Sequence, residues 1–209
     1  MVVGFDNYKH LYKFNVSGII HVGAHTGQEY DEYLGNFGEV ETYWFEPIPI
    51  IFDQLKSNLS GKPKTKLYNF ALGENDFIAD IYLDNGNNHQ SSSLLKPKDH
   101  VSQYPNIKFS EDDKAKVMVS RLDNFNIVGC NMIVLDTQGY ELSALKGSTE
   151  TLKGIDYLFT EFNSIEMYAG CPNLEELDNF LAPFNLHRVQ TWHTPDNWGD
   201  AFYIKKLEK

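Results

Sequence analysis

Short apolar runs rich in β-branched and aromatic residues alternate with stretches whose apolar positions fall at helical spacing, and that alternation sets the expected fold. Residues 18–22 read as a first strand, followed by a helix over about 26–34 in which Thr26 caps and Glu29 completes a capping box. A second strand over 40–45 precedes Ile48, Ile51, Phe52, Leu55 and Leu59, a helical stripe that Ser60-Gly61-Lys62-Pro63 stops. A third strand covers 65–72. This order of strand, helix, strand, helix, strand predicts a parallel sheet with right-handed crossovers.

The pattern then departs from simple alternation. Residues 77–83 alternate like a strand, Asp84-Asn85-Gly86-Asn87-Asn88 is turn chemistry, 89–110 is a polar loop, and 116–122 reads as another strand. A loop this long inside a compact domain points to a functional segment or a lid. Strands follow at 132–135 and 155–160, with a helix between them carrying Leu142, Leu145 and Leu152. A short helix over 174–181 is bracketed by Pro172-Asn173 and Pro183. Strands at 186–192 and 201–204 flank a turn over 194–200. An antiparallel hairpin closing a parallel sheet is the pattern of the class I, Rossmann-like methyltransferase variant of the doubly wound α/β fold. The expectation is a mostly parallel seven-stranded sheet with a β-hairpin and loop inserted at about 77–122, in a single domain 1–209. Its core is about 17–205, and 1–16, with Tyr8, Leu11, Tyr12 and Phe14, form a lead-in that packs on the sheet or covers a site.

Composition narrows the partners. A length of 209 residues suits one substantial core, and 42% hydrophobic with 22% charged residues is ordinary for a globular chain. A net charge of −11 argues against nucleic acid, whose binding draws on Lys and Arg. No run reaches the roughly 18 apolar residues of a membrane span, and the N-terminal stretch lacks the form of a signal peptide. Cys130 and Cys171 lack metal-ligand spacing and read as reduced core or loop residues, which fits a cytoplasmic setting.

The candidate chemistry gathers at strand C-terminal ends, the edge where open α/β sheets bind ligands. The first strand opens into Gly23-Ala24-His25-Thr26-Gly27, and a carboxylate, Glu46, stands about 20 residues on, where such folds grip a ribose. Pro47 suits the first turn of the following helix. The loop is neither the Gly-x-Gly-x-x-Gly of a dinucleotide site nor a P-loop, so it suits a ligand without phosphates, such as S-adenosylmethionine. Asp136, in Leu135-Asp136-Thr137-Gln138-Gly139, falls where the donor's sulfonium and an acceptor would meet, and Glu161 ends the next strand. Asp136, Glu161, His193 and His89 are candidate bases, and Asp136 with Glu161 are candidate ligands for a divalent metal. Trp192, Trp198, Tyr168 and Tyr104 are candidates for stacking on a sugar.

Ile20-His21-Val22-Gly23-Ala24-His25-Thr26-Gly27, Phe45-Glu46-Pro47, Asn69-Phe70-Ala71-Leu72-Gly73, Ser92-Ser93-Leu94, Arg121-Leu122-Asp123, Leu135-Asp136-Thr137-Gln138-Gly139-Tyr140-Glu141-Leu142, Leu145-Lys146-Gly147 and Thr160-Glu161 follow one another in order. Together they resemble the FkbM family of S-adenosylmethionine-dependent methyltransferases, over roughly residues 18–204. The family pattern usually has Asp at the position of His21 and Asn at that of His25, and both departures fall on the stretch expected to hold the cofactor. The resemblance implies methyl transfer to oxygen, commonly a sugar hydroxyl, leaving S-adenosylhomocysteine. It carries over a donor site of His21, Gly23, Ala24, His25, Thr26, Gly27, Glu46, Pro47, Ala71, Leu72, Ser92, Ser93, Asp136 and Gln138. In that site Glu46 holds the ribose and Ala71 and Leu72 neighbour the adenine.

The expected function is therefore O-methylation of a sugar hydroxyl, in a deoxyhexose of a glycan, by a domain that also suits a larger glycan-assembly protein. Two other readings remain at this level: a nicotinamide-dependent oxidoreductase on a similar sheet, and a non-catalytic carbohydrate-binding module with a vestigial donor pocket.

Overall fold

The structure, a computed structural model, describes residues 12–206, and of 111–113 the backbone alone. In chain order its elements are β1 (Gly18–Val22), α1 (Tyr30–Phe37), β2 (Glu41–Phe45), α2 (Pro49–Asn58), β3 (Thr65–Tyr68), β4 (Ala71–Leu72), β5 (Phe77–Asn85), α3 (His100–Gln103) and β6 (Lys108–Ser120). These are followed by β7 (Met132–Leu135), α4 (Glu141–Lys146), β8 (Tyr157–Asn163), α5 (Leu174–Leu181), β9 (Leu186–His193) and β10 (Trp198–Lys205). A seven-stranded sheet runs in the order β3-β2-β1-β7-β8-β10-β9, parallel except for β10, which pairs antiparallel with both β8 and β9. This is the expected mostly parallel sheet closed by an antiparallel hairpin.

Alternating side chains divide each buried strand between two cores. Ile20, Val22, Ile133 and Leu135 face Leu145 of α4 and Leu177 of α5. Ile19, Trp44, Met132, Val134 and Phe159 face Tyr33 of α1 and Leu55 of α2. Phe14 of the lead-in packs on this second core against Phe37, Tyr157 and Phe202, and Tyr12 sets its ring on Phe202. Tyr8 and Leu11 lie outside the described residues. Cys130 is buried, Cys171 is half-buried, and both are free thiols.

The expected strand over 65–72 is two strands in different sheets. Asn69 donates its side-chain amide to the carbonyls of Glu46 (2.8 Å) and Pro47 (2.9 Å), turning the chain out of the large sheet after Tyr68. Ala71–Leu72 then joins the insert as a three-stranded sheet in the order β4-β6-β5. Ile48 and Ile51, at the start of α2, pack with Ala71, Ile81, Val117 and Val119 to fix that sheet over the carboxyl edge of β1 and β2. The polar loop over 89–110 contains α3, and β6 begins earlier than expected, at Lys108.

The first helix also differs from expectation: α1 starts at Tyr30, and neither Thr26 nor Glu29 makes a side-chain cap. Residues 24–29 instead form turns, with Gly27 N–H donating to Ala24 O at 2.9 Å and Asn58 of α2 donating to Thr26 O at 2.9 Å. The capping box is found at α5, where Asn173 and Glu176 bond reciprocally.

Candidate active site

The site begins where the order of the sheet reverses, between β1 and β7, the position that binds ligands in doubly wound folds. Gly23 has φ +81, and a Cβ there would stand 1.7 Å from the carbonyl oxygen of Asp136, so glycine alone lets the two strand ends run this close. Beyond it, Gly23 and Ala24 donate to Phe45 O, and His25, itself left-handed at φ 44, donates its N–H to Glu46 Oε2 at 2.9 Å. Ile48 N–H donates to Glu46 Oε1 at 2.8 Å. Glu46 is thus buried at the tip of β2 and fixed by amides from two loops. Burial pushes its carboxyl up to about 7, against the opposing pull of the Ile48 and His25 amides.

A second acidic group forms across β7 and β8. Gln138, left-handed at φ 55, places its side-chain nitrogen 2.8 Å from Asp136 Oδ1 and 3.1 and 3.0 Å from Glu161 Oε1 and Oε2. Burial first, and then the neighbouring carboxylates of Asp136 and Glu141, hold the Glu161 carboxyl well above the usual range. Glu161 lies within β8, because the β10 ladder continues past it to Asn163, and it does not end the strand as expected. Glu141, whose role the sequence left open, organises the loop: its Oε1 accepts from Thr137 N, Thr137 Oγ1 and Gly139 N, each at 3.0 Å. Burial raises its carboxyl to about 7.

The inserted segment clamps both loops. Asp84, buried in β5, accepts N–H bonds from Asn87, His89 and Ser91, while Ser92 Oγ accepts from Asp84 N. Ser93 Oγ then donates to Gln138 O at 2.7 Å, and the Tyr168 hydroxyl contacts Ser91 O and Gln138 Oε1, both at 2.9 Å. His25 Nε2 lies 2.8 Å from Asn88 O, so its ring ties the glycine loop to the insert. On the far side, Trp198 Nε1 donates to Tyr104 OH at 2.9 Å, Asn197 donates to Gln103 Oε1 at 3.0 Å, and Gln103 donates to Asp196 O.

These elements enclose a cavity of about 560 Å³, inside the roughly 300–1,000 Å³ usual for small-molecule sites. Of the residues expected at the donor site, Gly23, His25, Glu46, Pro47, Ala71, Leu72, Ser92, Ser93, Asp136 and Gln138 line it. Four do not. His21 points to the opposite face of β1, stacked on Trp44 at 4.9 Å and bonded through Nδ1 to Tyr33 OH at 2.7 Å, and burial lowers its pKa. Ala24 is buried in the second core, Gly27 closes on Leu55 of α2 and on Leu59 just after it, and Thr26 is bonded to α2 through its carbonyl.

Among the candidate bases, Asp136, Glu161 and His89 line the cavity, whereas His193 is exposed outside it with its ring on Phe162. Among the candidate aromatics, Tyr104 and Trp198 line the cavity half-buried. Tyr168 also lines it but is fully buried and committed to its hydroxyl bonds, and Trp192 packs into the second core. Asn163, His100 and Glu29 line the cavity too, and each has a buried polar atom without a hydrogen-bond partner. Sequence reasoning missed these three, because an isolated Asn, His or Glu carries no motif. Among the described residues no group of three or more His, Cys, Asp or Glu is placed to hold a metal ion, and the Gln138 amide lies between the two proposed metal carboxylates. No helix among the described residues is long and apolar enough to cross a membrane.

Comparison with known proteins bears on the family and the fold. Residues 21–189 match the Methyltransferase FkbM domain family. The chain is 25% identical over 177 residues to the 2-O-methyltransferase NoeI of Sinorhizobium fredii, covering 80% of this chain and 72% of that protein. In structure it resembles an FkbM methyltransferase from Methylobacillus flagellatus, with a TM-score of 0.63, 18% identity and coverage of 93% of this chain and 45% of the other. This chain therefore spans less than half the length of that protein. A riboflavin-analogue dimethyltransferase, RosA of Streptomyces davawensis, shares the fold with a TM-score of 0.52, 10% identity and coverage of 97% and 54%. The sheet order, the closing hairpin and these likenesses are those of the class I methyltransferase fold, and the chain belongs to the FkbM methyltransferase family.

Proposed function

We propose that the chain is an S-adenosylmethionine-dependent O-methyltransferase acting on a sugar hydroxyl. The observation that carries this reading is the presence of amide-pinned Glu46 and the acidic Asp136–Glu161 group in the wall of one cavity on the carboxyl edge of the sheet. The residues present fit the donor. Its sulfonium and ammonium groups suit a lining that contains Glu29, Glu46, Asp136 and Glu161 and, among the described residues, no Lys or Arg. Glu46 would hold the ribose hydroxyls through the remaining lone pairs of its two oxygens, and Ala71, Leu72 and Phe70 would border the adenine.

When bound, S-adenosylmethionine supplies an electrophilic methyl group and leaves as the neutral thioether. The chain's own task is then to orient the acceptor hydroxyl and take its proton as the new oxygen–carbon bond forms. Two carboxyls bridged by one amide do not both ionise cheaply in a buried site, so Glu161 keeps a proton and Asp136 acts as the charged partner and base. General-base help of this kind contributes about 10² to 10⁴ in rate, and orientation contributes comparable or larger factors. The 2-O-methyltransferase relative supports oxygen as the methyl acceptor.

Titration with S-adenosylmethionine and S-adenosylhomocysteine tests the reading. Both should bind, and Glu46→Ala should weaken them by about 1.5–3 kcal/mol, the worth of hydrogen bonds to a charged group. Absence of binding to the unmodified chain would sink the reading.

A further inference from the structure

We propose that Tyr104, Trp198, Asn163 and His100 form the acceptor subsite, and that it takes an uncharged, glycosidically linked sugar, never a sugar still carried on a nucleoside diphosphate. This rests on the methyl-transfer reading above and adds to it a subsite and the chemical state of the acceptor.

The subsite is assembled from three separate parts of the chain. Tyr104 follows α3, Trp198 opens β10 and Asn163 ends β8, and the Trp198 Nε1 to Tyr104 hydroxyl bond joins the insert to the closing hairpin across the cavity. The two rings are half-buried and fixed against each other, a form of apolar surface on which a sugar ring packs. Beside them, Asn163 is 4% exposed and His100 3% exposed, and Asn163 Nδ2 and His100 Nδ1 have no hydrogen-bond partner. Burying such groups unpaired is costly, so unpaired groups at a cavity wall point to a polar ligand that completes them. Glu161 borders the same region.

Charge decides the state of that ligand. Nothing among the described lining residues is Lys or Arg, whereas Glu29, Asp136 and the exposed rim residue Asp196 present carboxylates, and protonated Glu161 adds no positive charge. In the glycine loop, the amides of Gly23 and Ala24 are committed to Phe45 O, that of His25 to Glu46, and that of Gly27 to Ala24 O. A diphosphate would therefore meet an acidic lining with no cationic side chain among the described residues to offset its charge, while a neutral glycoside carries no charge for that lining to oppose. In reaction order, a glycosyl transfer that releases the nucleotide must precede methylation.

The test pairs methyl glycosides of common hexoses and 6-deoxyhexoses with the nucleoside diphosphate esters of the same sugars, using the full chain and S-adenosylmethionine. At least one glycoside should be methylated with kcat/KM at least tenfold above its nucleotide ester. Asp196→Lys at the rim should narrow that ratio by severalfold, and Trp198→Ala should raise the glycoside KM. Saturation-transfer NMR with S-adenosylhomocysteine present should show the glycoside, but not the nucleotide sugar, in contact with the protein. Equal or better use of the nucleotide sugars, or methylation of neither set with the donor bound, overturns the proposal. Donor titration on the same sample separates the failures, because a chain that binds no S-adenosylmethionine fails at the methyl-transfer reading itself.

Discussion

The side-chain nitrogen of Gln138 lies 3.1 and 3.0 Å from the two carboxylate oxygens of Glu161. The same nitrogen donates to Asp136 at 2.8 Å, and Tyr168 contacts the amide oxygen, which fixes the end that faces the acids. Gln138→Asn keeps a residue that tolerates the left-handed backbone at this position but withdraws the amide by one methylene. It should lower kcat by about 10²-fold, as a misplacement of about 1 Å does, with donor affinity largely retained. Without the donated bond the acidic pair ionises less readily, so the acid limb of the pH–rate profile should move to higher pH. An unmoved profile would show that Gln138 does not set the ionisation of the pair.

The buried carboxyls also make stability depend on pH. Glu46 and Glu141 each ionise at about 7 in the folded chain against 4.5 unfolded, and burial drives both upward. Between pH 4.5 and 7 the folded state binds more protons than the unfolded one, so stability falls as pH rises through this window and levels off above it. The loss is about 3 kcal/mol for each group. Urea unfolding at pH 5 and pH 8 should show the chain less stable at pH 8, and Glu141→Gln should shrink the difference. A difference unchanged in that variant would remove Glu141 from the account.

Much of this site is legible in the sequence wherever a strand ends in a chemical group. β1, β7 and α5 fall where the apolar pattern puts them, and Gly23, Glu46 and Asp136 follow from the rule that ligands bind at strand C-terminal ends. What periodicity cannot give is the facing of single residues inside a loop. His21 alternates away from the cavity with Ile19, and Thr26 turns toward α2 because the left-handed Gly27 redirects the chain before α1 begins. Nor does local pattern show that Asn69 diverts Ala71–Leu72 into a second sheet, since that depends on a side chain reaching the carbonyls of Glu46 and Pro47. The buried, unpaired state of Asn163 and His100 is a product of tertiary packing, which local pattern does not carry.

Ser92 and Ser93 are adjacent and both buried, yet they serve different loops. Ser92 Oγ accepts from Asp84 N within the insert, whereas Ser93 Oγ donates to Gln138 O and accepts from Leu95 N at 3.0 Å. Alanine at either position leaves buried groups unpaired and should cost about 1–3 kcal/mol in chemical unfolding. Only Ser93→Ala should also lower kcat, because only it releases the loop that carries Gln138. Equal losses of kcat in both variants would mean that the serines act through the stability of the insert alone.

His25 does two things that substitution can separate. Its main chain, at φ 44, presents the N–H that fixes Glu46, and its ring reaches the insert at Asn88 O and contacts Gln28 Oε1 at 3.1 Å. Asparagine tolerates the left-handed region and keeps the first contact, but it is too short to bridge to Asn88. His25→Asn should therefore fold normally and bind donor with an affinity within about fivefold of the parent, the change expected from losing one net hydrogen bond of roughly 0.5–1 kcal/mol. Hydrogen exchange at the amides of 87–90 should become faster, since the ring no longer holds that turn, and donor release in stopped-flow should quicken with it. His25→Ala should behave differently: it also loses the ring, but alanine in the left-handed region costs a further 1–2 kcal/mol or so, which the Glu46 contact must absorb. Donor affinity should then fall well below that of the asparagine variant. If both variants bind donor alike and exchange at 87–90 stays slow, the ring contact is incidental and the insert is held over the cavity by Ser93 and Tyr168 alone.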